Sequence, residues 1–142
     1  MKWISPLIFL SLVVIACSKT GPGNVDDDSS LHIIDTNDTI PPDIEINTPI
    51  AAQVFSNGSS IDITGKITDN GGLYRGSIRI TNDVNNAVIK EQLYEIHGFQ
   101  LYNFSLSHTA SVTTPSDYTV TVLFEDHGLN QVSRSVKIKV NP

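Results

Sequence analysis

The chain has 142 residues, 9 Lys and Arg against 15 Asp and Glu, a net charge of −6 and a single cysteine. That length suits one domain rather than two. The acidic balance, with no Lys/Arg cluster, excludes a phosphate- or nucleic-acid-binding footprint. One cysteine excludes an internal disulfide, so the fold must rest on an apolar core, which about 100 residues can supply.

The chain opens Met1-Lys2-Trp3 and then runs from Ile4 to Ala16 with only Ser5, Pro6 and Ser11 interrupting its apolar character. One positive charge, an apolar stretch and a small residue at its end are the parts of a secretory signal peptide. The stretch is shorter than the roughly 20 apolar residues that span a bilayer. Its last four residues, Val14-Ile15-Ala16-Cys17, resemble the lipobox of bacterial lipoproteins, with Val14 where leucine is commonest. The resemblance implies a signal peptide over 1–16, diacylglycerol on the Cys17 sulfur, cleavage after Ala16 and acylation of the new amine. Several acyl chains anchor far more firmly than one, because each buried CH₂ adds about 0.8 kcal/mol. Loss of Lys2 with the leader leaves 8 basic against 15 acidic residues, a net charge of −7.

Ser18 follows the cysteine. By resemblance to enterobacterial lipoproteins, where Asp at this position favours the inner membrane, it implies the outer membrane. The face of that membrane stays open. Surface-exported lipoproteins of the Bacteroidota often carry an acidic run directly behind the cysteine, whereas Asp26-Asp27-Asp28 begins nine residues after Cys17.

Residues 17–40 read as a lipidated, flexible tether. Gly, Pro, Ser and Asp dominate, with too little apolar surface to offset the entropy of ordering. As a coil the segment spans about 25 Å. Leu31, Ile33 and Ile34 are the exceptions, free either to pack on the domain or to stand exposed. Asp38-Thr39-Ile40 resembles the Asp-Ser/Thr-apolar acceptor of Bacteroidota O-glycosylation, which makes Thr39 a candidate site.

From Pro41 the pattern changes to period two. Ile44 and Ile46 alternate with acidic and polar neighbours, as do Ile61, Ile63 and Ile67, then Ile78 and Ile80. Tyr102, Phe104 and Leu106 follow, then Tyr118, Val120, Val122 and Phe124, and finally Val136, Ile138 and Val140. Each run predicts a strand with one face to a core and one to water. Turn residues separate the runs at Asn57-Gly58, Asn70-Gly71-Gly72, Asn85-Asn86, His97-Gly98, Pro115-Ser116 and Gly128. Ala87 to Ile96 fits either a strand or a helix face capped by Gly98, and the need of its neighbours for a partner favours the strand. Seven strands over 41–142 make an all-β, immunoglobulin-like antiparallel β-sandwich.

Two features carry a resemblance. Asp117-Tyr118-Thr119-Val120 resembles the tyrosine corner at the start of the sixth strand of such sandwiches. Pro41-Pro42-Asp43-Ile44-Glu45-Ile46 with Pro49, Thr68-Asp69-Asn70-Gly71-Gly72-Leu73 and Glu125-Asp126-His127-Gly128-Leu129-Asn130 resemble bacterial Ig-like and cadherin-like domains, especially the uncharacterised Ig-like domain of Bacteroidota lipoproteins. The resemblance covers 41–142 and implies a fold without implying an activity.

Catalytic chemistry finds little support. His32, His97, His108 and His127 are scattered without metal-ligand spacing, which disfavours zinc. Ser and Thr abound without a Gly-x-Ser-x-Gly elbow. Calcium is the one cofactor the pattern suggests. Asp69 and Asn70 follow the second strand and Asp126 and Asn130 follow the sixth, and in an Ig-type sandwich those two loops emerge at the same end. The competing reading is that Asp and Asn simply build these turns through side-chain to backbone bonds. Tyr94, Phe99 and Tyr102 lie around the Gly98 turn as a candidate aromatic patch, with Tyr74 and Tyr102 also suited to the core. The expected function is a non-catalytic envelope module, attached to the membrane through Cys17, that binds or assists a protein or glycan. The alternative is a structural or adhesive module stiffened by calcium, with a small hydrolase as the foil.

Overall fold

A computed structural model describes residues 33–142. The leader, Cys17, the acidic run and His32 lie outside the described residues. Eight strands follow one another: β1 (Asp43–Thr48), β2 (Val54–Ser56), β3 (Ser60–Thr68), β4 (Leu73–Asn82), β5 (Val88–Glu95), β6 (Leu101–Thr109), β7 (Ser116–Asp126) and β8 (Gln131–Asn141). They form a three-stranded sheet, β1-β3-β6, facing a five-stranded sheet, β2-β8-β7-β4-β5. All pairings are antiparallel except β2 with β8. In immunoglobulin lettering the sheets are A-B-E and A′-G-F-C-C′, an Ig- and fibronectin-III-like sandwich.

The alternation seen in the sequence is the reason for the two faces. On β3, Ile61, Ile63 and Ile67 are wholly buried, while Asp62 and Lys66 between them are exposed. On β7, Val120, Val122 and Phe124 do the same from the other sheet, meeting Phe104 of β6 and Ile138 and Val140 of β8. Burying an aliphatic or aromatic side chain of this size contributes about 1.5–3 kcal/mol.

The ambiguous segment is a strand. β5 pairs with β4 from Arg75↔Glu95 to Thr81↔Val88, and Gly98 takes φ +77 in the turn beyond it. The eighth strand, β2, is three residues long, too short for alternation to announce it. Tyr118 is third in β7 with its ring buried, as a tyrosine corner requires. Among the described residues its hydroxyl makes no hydrogen bond back to the chain. The side chain instead helps line a polar crevice with Asn82, Ser111 and Thr113.

Strand direction places the loops. The chain enters β1 at the end where β3 and β7 finish, and that end also carries the β3–β4, β5–β6 and β7–β8 connections. The C-terminus leaves from the opposite end.

Candidate functional site

At the entry end, residues 33–40 are bonded to the sandwich, although their composition reads as tether. Asp35 N donates to His127 O at 2.9 Å, and His127 Nδ1 lies 3.1 Å from Ile33 O. Asn130 Nδ2 donates to Asp38 O at 3.1 Å. Two glycines make room for this approach. A Cβ on Gly128 would stand 2.7 Å from Asp38 O, and one on Gly71 would run into Asp38 Oδ2.

The docked segment brings Asp38 to Asp69, just beyond β3, and to Asp126, the last residue of β7. One carboxylate oxygen from each lies within 4.8 Å of the others. Asp69 Oδ2 accepts from Gly71 N at 2.8 Å and Gly72 N at 2.6 Å, which shapes the β3–β4 turn. Asp126 is fully buried; its Oδ1 accepts from Asn130 N at 2.9 Å and its Oδ2 from Asn130 Nδ2 at 3.0 Å. Asp38 Oδ1 accepts from Ile40 N at 3.0 Å. The turn between Asp126 and Asn130 is held tightly enough to keep Leu129 at φ 62, a left-handed conformation that a bulky side chain adopts only when its surroundings impose it.

None of the three carboxylates forms an ion pair among the described residues. Two unit charges this close repel by about 3–4 kcal/mol at an effective dielectric of 20. The donor set contains oxygen alone, the chemistry of a hard cation rather than of zinc or copper.

Of the four residues the sequence nominated for calcium, Asp69 and Asp126 converge and Asn130 braces both Asp126 and the Asp38 carbonyl. Asn70 does not join them: it is exposed, and its carbonyl accepts from Gln100 Nε2 at 2.8 Å. Asp38 was missed. Its signal was the Asp and Asn density of 35–38 just before the Pro41-Pro42 pair, which reads equally well as linker. Thr39 beside it is exposed.

The other candidates fall out differently. Two of the scattered histidines meet, His97 and His127 having ring centroids 5.9 Å apart with Tyr74 against both. Tyr94 and Tyr102 are half-buried and pack edge to face at 6.0 Å, and Tyr94 also meets Phe124, so the expected patch reduces to exposed Phe99. Ser60 and Ser107 both donate to Asp62 Oδ1 at 2.7 Å, an arrangement that holds the Asp62 carboxyl below its usual range. His108 stands on the opposite face of β6, opposite buried Ile61 in the register. Pleating therefore separates the imidazole from the Ser–Asp pair.

No family model matches the chain, and no curated protein matches it. Solved structures do. A fibronectin(III)-like module structure of Clostridium thermocellum CbhA is 13% identical with a TM-score of 0.44, covering 70% of this chain and 96% of that one. The CARDB domain of the PF1109 protein from Pyrococcus furiosus, solved with di-metal ions, is 12% identical with a TM-score of 0.44, covering 72% and 96%. The sporulation control protein Spo0M of Bacillus subtilis is 13% identical with a TM-score of 0.48, covering 71% of this chain and 49% of Spo0M.

Proposed function

We propose that this chain is a non-catalytic module of the cell envelope, carried on the outer membrane by acyl chains on Cys17 and presenting its sandwich to a protein or glycan partner. The observation that carries the reading is the polarity of the domain. The N-terminal segment joins at one end of the sandwich, hydrogen-bonded to His127 and Asn130 there. The far end, with the C-terminus, points away from the attachment. Two further features support it. On β3 and β6 the His108 imidazole stands on the opposite face from the Ser60 and Ser107 hydroxyls and the Asp62 carboxylate, so these groups form no proton relay. The β5 edge leaves Val88 and Leu93 exposed, with Phe99 and Leu101 beyond it, apolar side chains available to a partner.

The test is fractionation of cells expressing the full chain and its Cys17→Ala variant. The wild type is expected in the outer-membrane fraction and the variant in the soluble one. A variant that stays with the membrane would remove the lipid anchor from the reading. Substituting Leu93 and Phe99 by Ser should then weaken capture of partners crosslinked to the wild-type protein in the envelope. Unchanged capture would place the binding surface elsewhere.

A further inference from the structure

Acidic residues in loops are ordinarily turn builders, and Asp38, Asp69 and Asp126 each do that work. The turns use only part of each carboxylate. Asp38 Oδ2 and Asp69 Oδ1 are buried and have no hydrogen-bond partner among the described residues. A buried acceptor left empty costs the full desolvation of that oxygen, and folded proteins rarely leave one so. Here both belong to carboxylates of a cluster whose third member, Asp126, is wholly buried. Repulsion and desolvation act in the same direction, and both are reversed by a cation between the three.

We infer that Asp38, Asp69 and Asp126 form a calcium site that clips residues 33–40 onto the end of the sandwich. Calcium binds oxygen at 2.3–2.6 Å, so ligands on opposite sides of the ion stand about 4.6–5.2 Å apart. The three oxygens all lie within 4.8 Å of one another, no farther apart than two ligands of one calcium ion. Magnesium demands near-ideal octahedral geometry and gives up its waters reluctantly, so a cage of protein oxygens suits it less well than calcium. Water and carbonyls complete the six to eight ligands calcium takes.

The origins of the ligands define what the ion does. Asp69 follows β3 of the three-stranded sheet, Asp126 ends β7 of the five-stranded sheet, and Asp38 belongs to neither. One ion therefore ties both sheets and the incoming chain together. With calcium bound, residues 33–40 are held fixed against the end of the sandwich. Neither the lipid nor any partner is needed for the ion to bind.

The experiment is calorimetric titration of the full chain, purified in detergent and stripped with EDTA, with calcium chloride alone and then magnesium chloride alone. One calcium per chain is expected, with at least tenfold weaker binding of magnesium. A calcium concentration a hundredfold above Kd should raise Tm by roughly 10 °C. Asp38→Asn keeps an oxygen for Ile40 N and turns an NH₂ toward the ion, and should weaken calcium at least tenfold. Asp69→Asn and Asp126→Asn should do the same if they fold; Asp38, on the peripheral segment, keeps the test open if they do not. Asp43→Asn, an exposed acid outside the cluster, should leave Kd unchanged. Calcium should also slow hydrogen exchange at Asp35 N and Asp38 N. No binding at millimolar calcium, which would leave water as the partner of the orphan oxygens, overturns the site. Equal affinity in Asp38→Asn, or exchange at 35 and 38 untouched by calcium, overturns the clip.

Discussion

The two ends of the sandwich treat acidic side chains in opposite ways. At the far end Asp83 and Asp117 each meet a lysine of their own chain. Asp83 accepts from Lys137 Nζ at 3.0 Å and from Thr119 Oγ1 at 2.6 Å, and Asp117 lies 3.6 Å from Lys139. At the entry end Asp38, Asp69 and Asp126 receive only neutral N–H groups, from Ile40, Gly71, Gly72 and Asn130. The difference follows from where the residues sit. Asp117 and Lys139 are register partners across β7 and β8, so the ladder itself delivers the counter-charge. Asp38 and Asp69 lie outside the strands and Asp126 has uncharged Leu73 as its register partner, so no ladder delivers them a counter-charge, and theirs must be balanced by backbone dipoles or from outside the chain. Consecutive residues of β7 show both cases. Glu125 is buried and faces its register partner Arg75, whose Nε donates at 2.6 Å, with Gln131 Nε2 at 2.7 Å. Asp126, one residue on, has Asn130 alone.

The largest effect that would test this contrast is Asp126→Ala. The substitution strands Asn130 N and leaves its Nδ2 with Asp38 O alone, at a buried turn that also holds Leu129 at positive φ. A loss of about 2–4 kcal/mol is expected from urea unfolding in EDTA, where no ion contributes. A loss under about 0.5 kcal/mol would mean that backbone bonds alone set the turn. Arg75→Met comes next. It leaves Glu125, 5% exposed at its side chain, with one neutral donor, and because Arg75 is itself 55% exposed, water replaces part of the loss. The expected cost is about 1–2 kcal/mol in the same assay. No cost would show that Gln131 suffices, and that a buried carboxylate at this end needs no counter-charge.

The sandwich was legible because period-two alternation is a local signal. Ile61-Asp62-Ile63 and Val120-Thr121-Val122 announce their faces whatever else the chain does. β2 was not legible, since three residues carry no period and its parallel pairing with β8 is decided by geometry far along the chain. Within the site, Asp69 and Asp126 were found because loop order in a sandwich fixes which loops share an end. Asp38 was not found because its segment has the composition of a linker, and its docking depends on two missing Cβ atoms, at Gly71 and Gly128, whose meaning appears only in three dimensions. The meeting of two histidines was hidden, and the aromatic patch reduced to Phe99, for the same reason. Sequence spacing does not report that His97 and His127 close on Tyr74, nor that Tyr94 turns inward to Phe124.

At the far end, Asp83→Asn sharpens the contrast by being small. Its carboxyl is held below the usual range, first by the Thr119 hydroxyl and then by Lys137, with partial burial opposing both. A depressed carboxyl contributes stability above its unfolded value, near 3.8, and that contribution disappears as pH falls through the lower folded value. The variant should cost about 0.2–1 kcal/mol at neutral pH, less in 1 M salt, and should flatten the acid limb of stability below pH 4. A cost that grows with salt would contradict an ion pair as its source.

The smallest expected effect is the most discriminating, because it separates the two ends by the agent each responds to. His108 lies near the far end of β6, and burial, with the Lys90 charge adding to it, pushes its imidazole below the ordinary 6.5. Between 6.5 and the folded value the unfolded chain carries a proton there that the native chain does not. Stability contributed by the neutral ring is therefore present above pH 6.5 and is lost as pH falls through 6.5 toward the folded value. Urea midpoints measured in EDTA at pH 7.5 and 5.5 should differ accordingly, and His108→Gln should reduce the difference. A neutral side chain that leaves the pH slope unchanged would assign the slope to other groups. Repeating the pair of measurements with calcium tests whether the ends are coupled. If the ion acts only at Asp38, Asp69 and Asp126, it raises both midpoints and leaves the His108 increment as it was. If the increment shrinks, the closure of one end is transmitted through the core to the other, and the domain responds to its ion as a single body.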